Sequence, residues 1–147
     1  MPYENENDTA KLLRECDAGI KMGITSLEDV IPKAADPQLE QILKQGRQEH
    51  IRLRAETERQ LNQLKDKGKS PTAMAKSMSS LKTQLTMNSG HDTDAARLVT
   101  KGCEKGIGSL NKYLDKYHYA DEKSKHLTNE LIAAEQQLVS ELDTFRK

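Results

Sequence analysis

The chain has 147 residues, a length typical of one domain, and its 23 basic residues equal its 23 acidic residues. Balanced charge without a long run of one sign argues against a nucleic-acid surface, and an aromatic content of 3% leaves no stacking platform for single strands. No segment has the apolar length of a transmembrane helix, and the polar N-terminus does not resemble a signal peptide. With only two cysteines, the composition predicts a cytoplasmic protein without nucleic-acid or membrane partners.

Apolar residues recur three or four positions apart over most of the chain, which is the pattern of amphipathic helices. The sequence predicts a flexible N-terminus over residues 1–7 and a first helix capped by Asp8 or Thr9. Asp36, which is followed by proline, predicts the capped start of a second helix. The first predicted helix pair therefore covers residues 8–67.

A long connection follows this helix pair and is predicted to carry a short helix of its own. It covers residues 68–91, and the helix begins at Ser70-Pro71 with Met74 and Met78 on its apolar face. A second helix pair is predicted over residues 92–147, and Asp121 is predicted to cap the last helix. The whole of 8–147 is therefore predicted to be a single all-α four-helix bundle.

Two segments at equivalent places in the two predicted pairs resemble each other. They read Cys16-Asp17-Ala18-Gly19-Ile20 and Cys103-Glu104-Lys105-Gly106-Ile107, an internal repeat at a spacing of 87 residues. Gly19 and Gly23 lie four residues apart, as do Gly102 and Gly106. Because glycine inside a helix costs about 1 kcal/mol relative to alanine, this recurrence favours a close crossing of the two helices near Gly19 and Gly106. A two-fold relation of the pairs would place the two cysteines on opposite sides of this crossing, too far apart for a disulfide.

The pattern Leu12-Leu13-x-x-Cys16-x-x-Gly19 and the connection Asp36-Pro37-x-Leu39, with His50 further on, resemble an uncharacterised bacterial family of ferritin-like bundles. That family is distantly related to rubrerythrin-like and stress-induced proteins. The resemblance implies an up-down-down-up four-helix bundle with the short helix in its long crossover. Metal-binding ferritin-like proteins carry Glu-x-x-His on two helices, whereas this sequence contains no Glu-x-x-His. We therefore predict no catalytic residue, no cofactor and no di-iron site.

His50 and Glu135 are the two polar residues that occupy the middle of an otherwise apolar helix face. Three alternatives remain open for them. Each side chain can reach water at the edge of the bundle, the two can form a buried pair, or they can bind a metal with Cys16 or Asp17 as a further ligand.

These patterns favour a non-catalytic cytoplasmic helical bundle that acts through contact with another protein or by self-association, with a link to stress implied by the resemblance alone. The alternative is a metal-binding ferritin-like protein with a reduced or atypical site. A peripheral membrane protein that uses the Met-bearing crossover helix is disfavoured, because membrane-surface helices usually have a basic polar face.

Overall fold

A computed structural model describes residues 6–65 and 92–147 of the chain. These residues are almost entirely helical and contain no strand, which confirms the predicted all-α class with four long helices. The predicted crossover over 68–91 and its short helix lie outside the described residues. The long helices are α1 (Glu6–Val30), α2 (Pro37–Gln63), α3 (Asp92–Lys116) and α4 (Glu122–Leu142), with 3₁₀ turns at Ile31–Lys33 and Asp143–Phe145.

The predicted caps of α2 and α4 are present. The Asp36 carboxylate accepts hydrogen bonds from the backbone N–H groups of Gln38 and Leu39. The Asp121 carboxylate accepts one from the N–H of Ser124 at 2.8 Å. In each case the side chain satisfies amides of the first helical turn that have no partner within the helix.

The predicted start of α1 is wrong. The helix begins at Glu6, so residues 6 and 7 are helical, and Asp8 and Thr9 lie inside it. Instead of capping α1, their side-chain oxygens accept hydrogen bonds from the backbone N–H groups of Tyr119 at 3.2 Å and Asp121 at 2.8 Å. These contacts hold the connection between α3 and α4 against the start of α1.

The opposite end of the bundle is held by contacts of the same kind. The Asp92 carboxylate, at the start of α3, accepts hydrogen bonds from the N–H groups of Ala35 at 2.8 Å and Asp36 at 2.9 Å. Arg97 Nε donates to the carbonyl of Arg146 at 2.9 Å. The connection between α1 and α2, the start of α3 and the C-terminal turn therefore lie at one end of the bundle.

The four helices enclose two apolar clusters that follow each other along the bundle. The first cluster lies towards the α1–α2 connection, and the second towards the α3–α4 connection. Members of the first include Leu27, Val30, Leu39, Leu43, Val99, Cys103, Leu138 and Leu142, and members of the second include Leu13, Cys16, Ile20, Ile24, Leu53, Leu110, Leu127 and Leu131. Along α2 and α4, the boundary between the clusters falls at His50 and Glu135.

A buried polar pair beside a cleft

His50 and Glu135 are both buried, and they face each other from α2 and α4. Their exposed fractions are 2% and 8%, and His50 Nε2 lies 3.8 Å from Glu135 Oε1. Of the three alternatives left open by the sequence, the structure therefore shows a buried pair rather than two side chains in water at the bundle edge. The separation is that of an ion pair and is too long for a direct hydrogen bond.

The orientation of the imidazole is fixed by its own helix. His50 Nδ1 lies 2.8 Å from the backbone carbonyl oxygen of Gly46, one turn earlier in α2. Because a carbonyl only accepts, Nδ1 carries the proton of this hydrogen bond. Nε2, the nitrogen next to Glu135, is therefore the one that gains or loses a proton.

The two groups of the pair shift each other's titration. Burial raises the pKa of Glu135 above its ordinary value, and the attraction of His50 offsets this only in part. Burial by itself lowers the pKa of His50, but the Glu135 carboxyl and the Gly46 carbonyl outweigh it, so the pKa is raised overall. Because both pKa values are raised, the folded pair keeps a proton at pH values at which the unfolded chain has released it.

A pH dependence of stability follows from these two raised pKa values. Each group stabilises the folded chain fully below its unfolded pKa, near 4.5 for Glu135 and 6.5 for His50, and this stabilisation is lost as the pH rises through the folded pKa. We therefore expect the free energy of unfolding of the wild type, relative to a His50→Gln/Glu135→Gln variant, to fall between pH 5 and pH 9. Urea denaturation of both proteins across this range measures the difference, and a constant or rising difference would contradict the shifts.

Two glycines make room for the pair. A Cβ atom at Gly23 of α1 would lie 2.9 Å from His50 Cδ2, and one at Gly106 of α3 would lie 2.9 Å from Glu135 Oε2. The arrangement is the same in both helix pairs. In each pair, a glycine of the first helix faces the buried polar residue of the second helix. Gly23 stands out in the sequence by its place four residues after Gly19, but nothing in the sequence connects it with His50.

The predicted close crossing at Gly19 is wrong. A Cβ atom at Gly19 would meet nothing within 4 Å, and the same holds for Gly102 on α3. Gly106 does make a close approach, but the atoms it meets belong to the Glu135 side chain and not to α1. A gap therefore lies between α1 and α3 beside Gly19 and Gly102, although the two helices do contact each other.

This gap is a cavity of about 70 Å³. The backbones of four partly exposed glycines border it, and His50 and Glu135 line it together with apolar side chains from α1, α3 and α4. Glu135 Oε2 is buried and has no hydrogen-bond partner among the residues that the structure describes. The bordering glycines are Gly19, Gly23, Gly102 and Gly106.

The further metal ligands considered from the sequence make other contacts. Cys16 Sγ lies 3.2 Å from Thr128 Oγ1, and Asp17 Oδ2 accepts a hydrogen bond from Lys21 Nζ at 2.8 Å. Within residues 6–65 and 92–147, no three His, Cys, Asp or Glu side chains are grouped closely enough to hold a metal ion. The described residues therefore offer the pair but no complete metal-binding set.

Both cysteines are free thiols buried in different apolar clusters. Burial raises the pKa of Cys16 to about 12, and burial together with the charge of Glu135 raises the pKa of Cys103. Because the thiolate is the reactive form, we expect both thiols to react with a disulfide reagent at least a hundredfold more slowly at pH 8 in the native protein than in urea. The rate of reaction with Ellman's reagent, followed by absorbance, measures this difference. A native thiol that reacts fast would contradict the burial.

No helix in the described parts of the chain is long and apolar enough to cross a bilayer. No protein-family model matches the chain, and neither the curated proteins nor the solved structures include a significant match. Inference about function therefore depends on the pair, the cavity and the helices that hold them.

Proposed function

We propose that the chain is a ferritin-like bundle that works without a di-metal centre, as a non-catalytic cytoplasmic protein acting through contact with another protein or with itself. The observation that carries this proposal is the composition of the bundle centre. One histidine and one glutamate stand where a di-metal protein of this architecture needs about six ligands from four helices. The link to stress physiology rests on the sequence resemblance alone.

The contacts at the bundle ends support the ferritin-like helix order. Asp92 ties the start of α3 to the connection between α1 and α2, and Asp8 ties the start of α1 to the connection between α3 and α4. This pattern fits α1 antiparallel to α3 and parallel to α4, which is the up-down-down-up order. The matched placement of Gly23 beside His50 and Gly106 beside Glu135 is in keeping with an internal repeat.

The alternative, a metal-binding protein with a reduced site, is favoured only by the convergence of His50 and Glu135. Elemental analysis of the full chain purified without chelator separates the two proposals, together with calorimetric titration of Zn²⁺ and Fe²⁺. We expect no stoichiometric metal and no rise in melting temperature. Stoichiometric binding that is lost in a His50→Gln variant would overturn the proposal in favour of the metal site.

The contact part of the proposal is tested by mass measurement. Light scattering of the purified chain over a wide concentration range, and cross-linking in an extract of the source cell, report self-association and partner binding. We expect a concentration-dependent oligomer or a discrete cross-linked complex. A chain that is monomeric at every concentration and gives no cross-linked species in the extract would contradict it.

A further inference from the structure

We propose that the cleft between α1 and α3 is a binding site for a small aliphatic primary amine, whose ammonium group is held by Glu135 and His50. The cleft places these two polar side chains at the inner surface of a mostly apolar cavity, which Glu15, Ser26, Ser109 and Tyr113 also line. Both residues are at least nine-tenths buried.

Glu135 carries a carboxylate oxygen without a partner. Oε2 has no hydrogen-bond partner among the described residues, although the side chain is only 10% exposed. Buried carboxylate oxygens are normally satisfied, and an orphaned one calls for a donor from outside the chain. Because Glu135 lines the cavity, a donor that enters the cleft lies beside its carboxylate.

His50 Nε2 and Glu135 Oε1 are placed so that one donor group can reach both. The Gly46 carbonyl holds the proton of the neutral imidazole on Nδ1, so His50 Nε2 presents a lone pair. Nε2 and Glu135 Oε1 lie 3.8 Å apart. A nitrogen atom placed about 2.9 Å from each would make an Nε2–N–Oε1 angle of about 80°. An ammonium group has three donors, no acceptor and a positive charge, so it can donate to both atoms and neutralise the carboxylate.

The shape of the cleft sets the size of the ligand. Gly23 and Gly106 carry no side chain, and a Cβ at either position would occupy the space next to the pair. The cleft has a volume of about 70 Å³, about half that of a cavity known to hold benzene, so we expect a short alkyl chain to fit better than an aromatic ring. Most of its wall is apolar, with Leu110, Leu131 and Leu138 among the lining residues, and suits a methylene chain.

Amine binding is coupled to a proton. An ammonium that donates to Nε2 needs that nitrogen unprotonated, so binding to a protonated His50 releases the Nε2 proton to solvent while the ammonium takes over its charge. The other titratable groups near the pair are Glu49 on the same helix as His50, Glu15 and Tyr113 at the cleft, and the thiols of Cys16 and Cys103. Binding is therefore expected to tighten at least threefold between pH 6 and pH 8, a range in which propylammonium keeps its charge.

The test is a titration of the full-length chain with propylammonium chloride, followed through the imidazole ¹⁵N and ¹H signals of His50. We expect saturable shifts with a millimolar Kd, at least tenfold weaker binding of 1-propanol and propionate, and weaker binding of benzylammonium. A Glu135→Gln variant is expected to bind propylammonium at least tenfold more weakly. Gly19→Leu, which places a side chain in the gap at a position with no close neighbour, is expected to abolish binding while the circular dichroism spectrum is unchanged.

Three results would overturn the proposal. One is no shift at His50 at amine concentrations up to about 100 mM, which would indicate that the cleft holds water only. Another is equal binding of propylammonium and propanol, because the charge would then have no role. The third is unchanged amine binding in folded Gly19→Leu and Glu135→Gln variants, which would place the amine elsewhere on the protein.

Discussion

Replacing Gly23 by leucine is expected to lower the free energy of unfolding by about 3 kcal/mol, the upper end of the usual cost of overpacking a core. The first atom of the new side chain would already lie 2.9 Å from the His50 ring, which is held in place by its hydrogen bond to Gly46. The same replacement at Gly19 is expected to be neutral or to stabilise by about 1 kcal/mol, since helix propensity improves and nothing lies within 4 Å of the new Cβ. Urea denaturation followed by circular dichroism measures both.

Gly19 and Gly23 are a matched pair, because they lie one turn apart on the same helix. Gly102 and Gly106 provide a second matched pair on α3, with Gly106 the sensitive position. A large loss of stability in Gly19→Leu would show that α1 and α3 touch where the structure leaves a gap. It would also restore the close crossing predicted from the repeat.

Removing one member of the polar pair is expected to have an effect of similar size. His50→Leu leaves the Glu135 carboxyl buried without its partner, and at pH 8 we expect a loss of about 3 to 5 kcal/mol in the free energy of unfolding. Replacing both residues, as in His50→Leu/Glu135→Met, is expected to return the protein to wild-type stability or above. Apolar side chains of similar volume would then join the two flanking clusters into one continuous core.

The same comparison on an exposed pair is the control. His126 Nε2 lies 3.5 Å from Glu130 Oε1, but the His126 side chain is 78% exposed. Removing either residue there is expected to change stability by less than about 1 kcal/mol, because water replaces the lost partner. If His50→Leu and Glu135→Met were additive in the double variant, the two residues would not be energetically coupled and the pair would have no role in stability.

Much of the helical framework was predictable because its signals are local. The caps at Asp36 and Asp121 are read from a side chain and the amides within three residues of it, and both are present. Asp8 and Thr9 carry the same local signal but serve a distant connection. Nothing in a single sequence shows which backbone N–H groups the fold will bring to such a side chain.

The centre of the bundle was predictable in kind but not in detail. A polar residue in the middle of an apolar helix face needs either a buried partner or water, and the pattern singled out His50 and Glu135 without deciding between these. Which glycine faces which polar residue depends on how far one helix is shifted along its neighbour. The apolar periodicity of a helix indicates its buried face but not this shift. Aligning Gly19 with Gly106 matched the letters of the repeat, whereas the structure gives the equivalent role to Gly23.

The buried pair of His50 and Glu135 is tested most directly by a pH titration of the His50 imidazole by ¹⁵N NMR, in the wild type and in Glu135→Gln. We expect His50 to keep a proton on Nδ1 at every pH and to titrate at Nε2, with a pKa above the ordinary histidine value of about 6.5. This pKa should fall when the Glu135 carboxyl is removed. An imidazole that titrates with an ordinary pKa in both proteins would contradict it.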